Sequence, residues 1–138
     1  MTVELDPEVR AFLEEMKVPA VLSTLGRRGE PITSAVWYGF HEGDIVVSTP
    51  AARPKARNVR SDARLSFIVD TKERPYRGVA IEGEGEVLED PDHVILRAIG
   101  ERYLGPVMPD WMRQRTEGQA RVAIRIRPTR VRPWGFDR

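Results

Sequence analysis

Gly78-Val79-Ala80-Ile81-Glu82-Gly83-Glu84-Gly85-Glu86-Val87-Leu88 alternates along its length, with Val79, Ile81 and Val87 on one face beside Gly83 and Gly85, and Glu82, Glu84 and Glu86 on the other. A period of two belongs to a strand with one buried face. Two glycines inside such a strand predict a bend or bulge, the device by which a sheet curls towards a barrel.

Working outward, short strands recur on both sides. Ala20-Val21-Leu22-Ser23-Thr24-Leu25 reads as a strand closed by the turn Gly26-Arg27-Arg28-Gly29. Pro31 through Phe40, rich in β-branched and aromatic residues, reads as the next, turning back at Glu42-Gly43-Asp44. Ile45-Val46-Val47-Ser48-Thr49 and Leu65-Ser66-Phe67-Ile68-Val69 follow, and the chain closes on Arg121 to Arg127 and then Arg130 to Trp134. About seven strands at short spacing imply a mainly β fold, an antiparallel barrel rather than a βαβ sheet.

Helices are few. Asp6-Pro7-Glu8 is a start signal, and Val9, Phe12, Leu13 and Met16 fall on one helical face before Pro19. Asp90-Pro91 predicts a second helix with Val94, Ile95, Ala98 and Ile99 as its apolar stripe, stopped at Gly105-Pro106, and the Trp111-Met112 segment predicts a short third.

The 138 residues fit one domain, 1–138, with enough chain to bury a core. There is no cysteine, and the two histidines, His41 and His93, are far apart, which argues against thiol or metal chemistry. No Gly-x-Gly-x-x-Gly or Walker pattern is present. The N-terminus lacks a leader pattern and no apolar run reaches bilayer length, so the expectation is a cytoplasmic protein without a membrane partner. A net charge of +1 leaves any nucleic-acid role to a local patch, and the expectation is no nucleic-acid partner.

That patch follows the strand ending at Ser48 and Thr49. From Ser48 to Arg64 stand the five cations Arg53, Lys55, Arg57, Arg60 and Arg64 against the single acid Asp62. Pro54 sits where a first helical turn would begin, so free amides and the helix dipole would converge with Arg53 and Lys55 on one anion, phosphate above all. Two strand-end hydroxyls just before the cations suit the same guest.

The order of Ala20 to Leu25, Pro31 with Ala35-Val36-Trp37-Tyr38, Ser48-Thr49 with Lys55-Ala56-Arg57-Asn58, Arg60 to Arg64, and Gly78 to Gly85 resembles the split-barrel flavin-binding family. That family includes pyridoxamine phosphate oxidases and the deazaflavin (coenzyme F-420)-dependent reductases. The resemblance implies an antiparallel Greek-key split barrel of the FMN-binding type. It implies a homodimer with cofactor at the subunit interface, phosphate near Ser48, Thr49, Arg53, Lys55, Arg57 and Asn58, and the ring near Thr33, Ser34, Ala35 and Val36. The second subunit would complete the site from the Trp111 segment or from Arg132 and Trp134.

Lys55-Ala56-Arg57-Asn58, Val36-Trp37-Tyr38, Arg77-Gly78-Val79 and Glu101 to Pro106 look more like the deazaflavin-using branch. The implied activity is an oxidoreductase that binds coenzyme F-420 and passes a hydride to a small conjugated organic acceptor. FMN is the alternative cofactor, and a non-catalytic flavin or haem carrier the alternative role. The chain end at Arg138, without the extended segment that pyridoxamine phosphate oxidases use for substrate, argues against that particular enzyme. Such chemistry resides in the ring and needs no side-chain nucleophile or metal. Tyr38 and His41 are nominal proton donors whose positions on a strand and at a turn favour structural roles.

Overall fold

The computed structural model describes residues 1–136; Asp137 and Arg138, the end of the predicted domain, lie outside the described residues. The elements run α1 (Pro7–Glu15), β1 (Ala20–Leu25), β2 (Pro31–Val36), β3 (Tyr38–His41), β4 (Asp44–Pro50), α2 (Pro54–Ser61), β5 (Arg64–Asp70), β6 (Gly78–Glu89), α3 (Val94–Leu104), α4 (Asp110–Thr116) and β7 (Arg121–Trp134). All seven strands join one antiparallel sheet in the order β2-β1-β5-β6-β7-β4-β3. The sheet curls on itself, which is the expected split barrel.

The two edge strands explain the word split. β2 pairs with β1 and β3 with β4, so they lie at opposite edges of the sheet, yet only Trp37 separates them in the chain. Pro31 to Phe40 is therefore two strands and not the one expected. The β-branched and aromatic run continues through Trp37, and only the long-range pairings reveal the break.

Curling is concentrated where the glycines predict it. The β6–β7 register shifts between Glu82 and Gly83, and Thr129 is the extra residue opposite them, its hydroxyl donating to the Glu82 carbonyl at 3.1 Å. A Cβ on Gly83 would sit 2.6 Å from the Arg127 carbonyl oxygen, so this crossing is closed to any larger residue. Bulges of this kind bend the strand and raise its twist. The same bulge joins the two expected terminal strands into the single β7, with Pro128 and Thr129 inside it.

The inner face of the curl holds Leu22, Tyr38, Ile45, Phe67, Ile81, Ile124 and Ile126, with Val9, Phe12 and Leu13 of α1 packed against them. Outside the sheet, α3 lays Ile95 and Ile99 on Val46 of β4 and Ala123 of β7. Gly39 permits this approach, since a Cβ there would meet Ile99 at 3.0 Å. The buried face of α3 is Ile95, Leu96, Ile99 and Gly100, one step round from the predicted stripe, and Val94 and Ala98 face solvent. Asp90 and Pro91 precede the helix instead of opening it. The Asp90 carboxylate accepts the Ile95 and Leu96 amides, and His93 takes a left-handed conformation, φ 60°, that sets where the first turn begins.

Glu82, Glu84 and Glu86 lie across from the arginines of β7. Glu82 pairs with Arg132 at 3.3 Å, and Glu86 with Arg125 and Arg127 at 3.2 and 3.5 Å. The acidic face predicted on β6 is thus largely matched within the subunit; the Glu82–Arg132 and Glu86–Arg127 pairs are exposed and contribute little stability each, while Arg125 is mostly buried.

Candidate functional site

The end of β4, the start of β7, the first turn of α2 and the outer helices α3 and α4 meet around a cleft of about 680 Å³. Its polar wall carries Ser48, Thr49, Arg53, Lys55, Arg115 and Arg121, and among the described residues no carboxylate lines it. The opposite wall is apolar, made by Val36, Trp37, Leu96, Ile99 and Met112. A ligand with an anionic end and a flat apolar body matches this division.

β4 brings the anion end together by pairing with β7. Pro50 lies opposite Arg121 and Ser48 opposite Ala123, and Arg121 reaches back so that one Nη donates to the Ser48 hydroxyl at 2.8 Å. Its other Nη donates to Gln119 Oε1 at 2.9 Å, while its buried Nε has no partner. Burial lowers the Arg121 pKa, the Asp90 carboxylate raises it, and the Arg53 charge lowers it. The Arg121 guanidinium is thus half-buried between the fields of Asp90 and Arg53 and is ion-paired with neither.

α2 adds backbone donors. Pro54 occupies its first turn, and no side chain caps the free amides there. Arg53 precedes the helix and Lys55 rides on its first turn, half-buried. Burial, and then the like charge of Arg53, lower the Lys55 pKa. Among the described residues no acid is ion-paired with Arg53, Lys55, Arg115 or Arg121.

The structure therefore gathers Ala35, Val36, Ser48, Thr49, Arg53 and Lys55 around one cleft. It does not bring in the other expected residues. Thr33 and Ser34 lie further along β2, with the Thr33 hydroxyl 3.1 Å from that of Ser23. Arg57 points to solvent from α2. Asn58 stands apart from the cleft: it is buried, and its side-chain amide donates to Thr24 Oγ1 at 3.1 Å, tying α2 to β1. Trp134, expected from the second subunit, ends β7 and does not border this subunit's own cleft.

Arg121, Arg115 and Gln119 were not among the sequence candidates. Arg121 opens a run of alternating arginines that reads as an ordinary strand edge, and only its pairing with β4 marks it out. Of the neighbours Trp37 and Tyr38, it is Trp37 that borders the cleft. Tyr38 is fully buried, its hydroxyl shared between the Leu13 and Met16 carbonyls at 2.7 and 2.8 Å. Burial pushes its pKa up to about 12, against the lowering by Arg102, so it is a structural group. His41 sits at the hairpin end beside Glu42 at 3.6 Å, away from the cleft.

A family model described as pyridoxamine 5'-phosphate oxidase matches residues 5–135. Among solved structures, the chain is similar to a conserved hypothetical protein of Mycobacterium tuberculosis, at 33% identity over 96% of this chain and 86% of that one, TM-score 0.79. It is also similar to an F420 reductase, at 24% identity over 93% and 98% of the two chains, TM-score 0.76. A haem storage protein of Vibrio cholerae matches at 16% identity over 94% of each chain, TM-score 0.69. The last two likenesses concern the fold. No curated protein matches the sequence.

Proposed function

Because the chain belongs to the pyridoxamine 5'-phosphate oxidase family of split barrels, we propose that it is an oxidoreductase binding a phosphate-bearing flavin or deazaflavin in the Arg121 cleft, with coenzyme F-420 favoured over FMN. The observation that carries this reading is the acid-free cationic wall around Ser48, Lys55 and Arg121, facing an apolar wall in the same cleft. The unpartnered Nε of Arg121 and the uncapped amides of α2 fit a phosphate oxygen as a further acceptor. The F420 reductase among the structural relatives supports the deazaflavin choice.

When bound, the ring supplies the hydride chemistry, and a small conjugated acceptor receives it. This chain's own contribution is to hold the anion and to shield the ring's surroundings from water. Val36 and Trp37, at the end of β2 and just after it, bring apolar surface beside the anion end. No residue bordering the cleft stands out as a proton donor.

A homodimer belongs to the same proposal. The outer face of the sheet carries Ala35, Val21, Ile68 and Ala80 in register across β2, β1, β5 and β6, an apolar row that reaches the cleft at Ala35. A second copy on that face would adjoin the cleft, and through it Trp134 or Arg132 of the partner could enter. Among the described residues no helix is long and apolar enough to cross a membrane.

Parallel fluorescence titration of the purified chain with coenzyme F-420 and with FMN tests the reading. Tight binding of the deazaflavin alone supports it. Preference for FMN moves the assignment to an FMN oxidase or reductase, and binding of neither overturns it in favour of a haem-type or other ligand.

A further inference from the structure

Trp37 occupies the one-residue gap between the two edge strands and borders the cleft. The ring packs against Val46, Ile95, Ile99 and Ala123, and one of its faces is covered by Tyr103 at the end of α3. The two rings stack at 4.6 Å between centroids with 5° between planes. Tyr103 is itself anchored at two points: its hydroxyl donates to the Val18 carbonyl at 2.9 Å and accepts the Tyr38 amide at 3.2 Å. Next to it, Arg102 donates to the Leu13, Glu14 and Met16 carbonyls at 2.7 to 2.8 Å and lies 4.8 Å from the Tyr38 ring, locking α3 to the end of α1.

We propose that Tyr103 is a positioning residue of the ligand site: it acts through Trp37, setting the plane of the apolar wall against which the flat body of the ligand rests. This rests on the reading of the cleft as the cofactor site. Tyr103 does not itself border the cleft. Aromatic stacking restricts a ring to a narrow range of orientations, and removing one member frees the other to rotate. The apolar wall thus depends in part on a side chain outside the site, delivered by a helix that packs on β3, β4 and β7 and is tied to the end of α1 through Arg102.

The experiment uses the full chain labelled with 5-fluorotryptophan, the Trp37 fluorine signal being assigned by its loss in Trp37→Phe. In Tyr103→Leu the Trp37 signal is expected to move towards the solvent-exposed position and broaden. Affinity for whichever of coenzyme F-420 and FMN the native chain binds should fall on the order of five- to tenfold. Tyr103→Phe keeps the ring and loses the hydroxyl, and is expected to retain the native Trp37 signal and affinity within about twofold. An unmoved Trp37 signal in Tyr103→Leu overturns the proposal, as does equal loss of affinity in both variants. Should Tyr103→Leu not fold, Tyr103→His, a smaller flat ring, replaces it under the same criteria. If the native chain binds neither cofactor, the cofactor reading fails and the fluorine signal alone decides whether Tyr103 positions Trp37.

Discussion

Arg121 holds Ser48 across 2.8 Å, joining the first residue of β7 to the far end of β4 and putting a guanidinium in the cleft that Arg53 and Lys55 also line. The hydroxyl keeps the guanidinium in place, and the orphaned Nε leaves it a donor for a ligand. Arg121→Ala should weaken binding of a phosphate-bearing cofactor by about 1.5 to 3 kcal/mol, the range for a charge-assisted hydrogen bond. Arg121→Lys should recover part of this, because an ammonium keeps the charge but lacks the forked geometry. Fluorescence titration checks both, and native affinity in the alanine variant would move the anion elsewhere.

Asn58 tests the opposite assignment. Sequence order places it among the phosphate ligands, but its amide is spent on Thr24 inside the fold. Asn58→Ala should lower stability by about 1 to 3 kcal/mol, because the buried Thr24 hydroxyl loses its partner. Cofactor affinity, measured where the variant is fully folded, should stay within about twofold of native. A large affinity loss with an unchanged melting temperature would return Asn58 to the site.

These two residues show what the sequence carries and what it does not. Local rules place α1, β1, the Glu42-Gly43 turn and the alternating face of β6, because spacing of apolar residues, Gly and Pro decides them within a few positions. Pairing over long separations decides the rest. Nothing around Trp37 announces that β2 and β3 part company there, and nothing around Arg121 distinguishes it from Arg125 or Arg127 until β4 lies alongside. Asn58 is adjacent to the right residues in sequence, yet at Lys55+3 on a helix it turns towards β1. The cationic cluster was legible as a composition on α2, and its deepest cation was not, since it comes from 66 residues beyond Lys55.

Gly83 tests the account of the curl. A Cβ there would clash with the Arg127 carbonyl oxygen at 2.6 Å, a backbone atom that cannot swing aside. Gly83→Ala should therefore cost about 1 to 3 kcal/mol by overpacking. Ile124→Ala, in the fully buried centre of β7, should cost about 2 to 5 kcal/mol by leaving a cavity. Denaturant titration checks both. A stable Gly83→Ala would mean that the bulge tolerates a side chain and that the curl is set elsewhere.

If the cleft holds an anion as proposed, Lys55 should make its binding sensitive to alkaline pH. Burial and then Arg53 lower its ammonium pKa below 10.5, so the folded chain holds this proton less tightly than the unfolded chain. Between the lowered value and 10.5 the unfolded chain binds more protons, and the free protein gains stability as pH rises through that window. A bound anion works in the other direction. It favours the ammonium, so affinity should be full below the lowered pKa and fall as pH climbs through it. Lys55→Ala should weaken binding by about 1.5 to 3 kcal/mol at neutral pH and flatten this alkaline fall. Lys55→Arg should carry affinity to higher pH, because a guanidinium stays charged. Cofactor titrations across the alkaline range read all three chains. Superimposable profiles for native protein and Lys55→Ala would remove Lys55 from the anion site and leave Arg121 and the α2 amides to hold it.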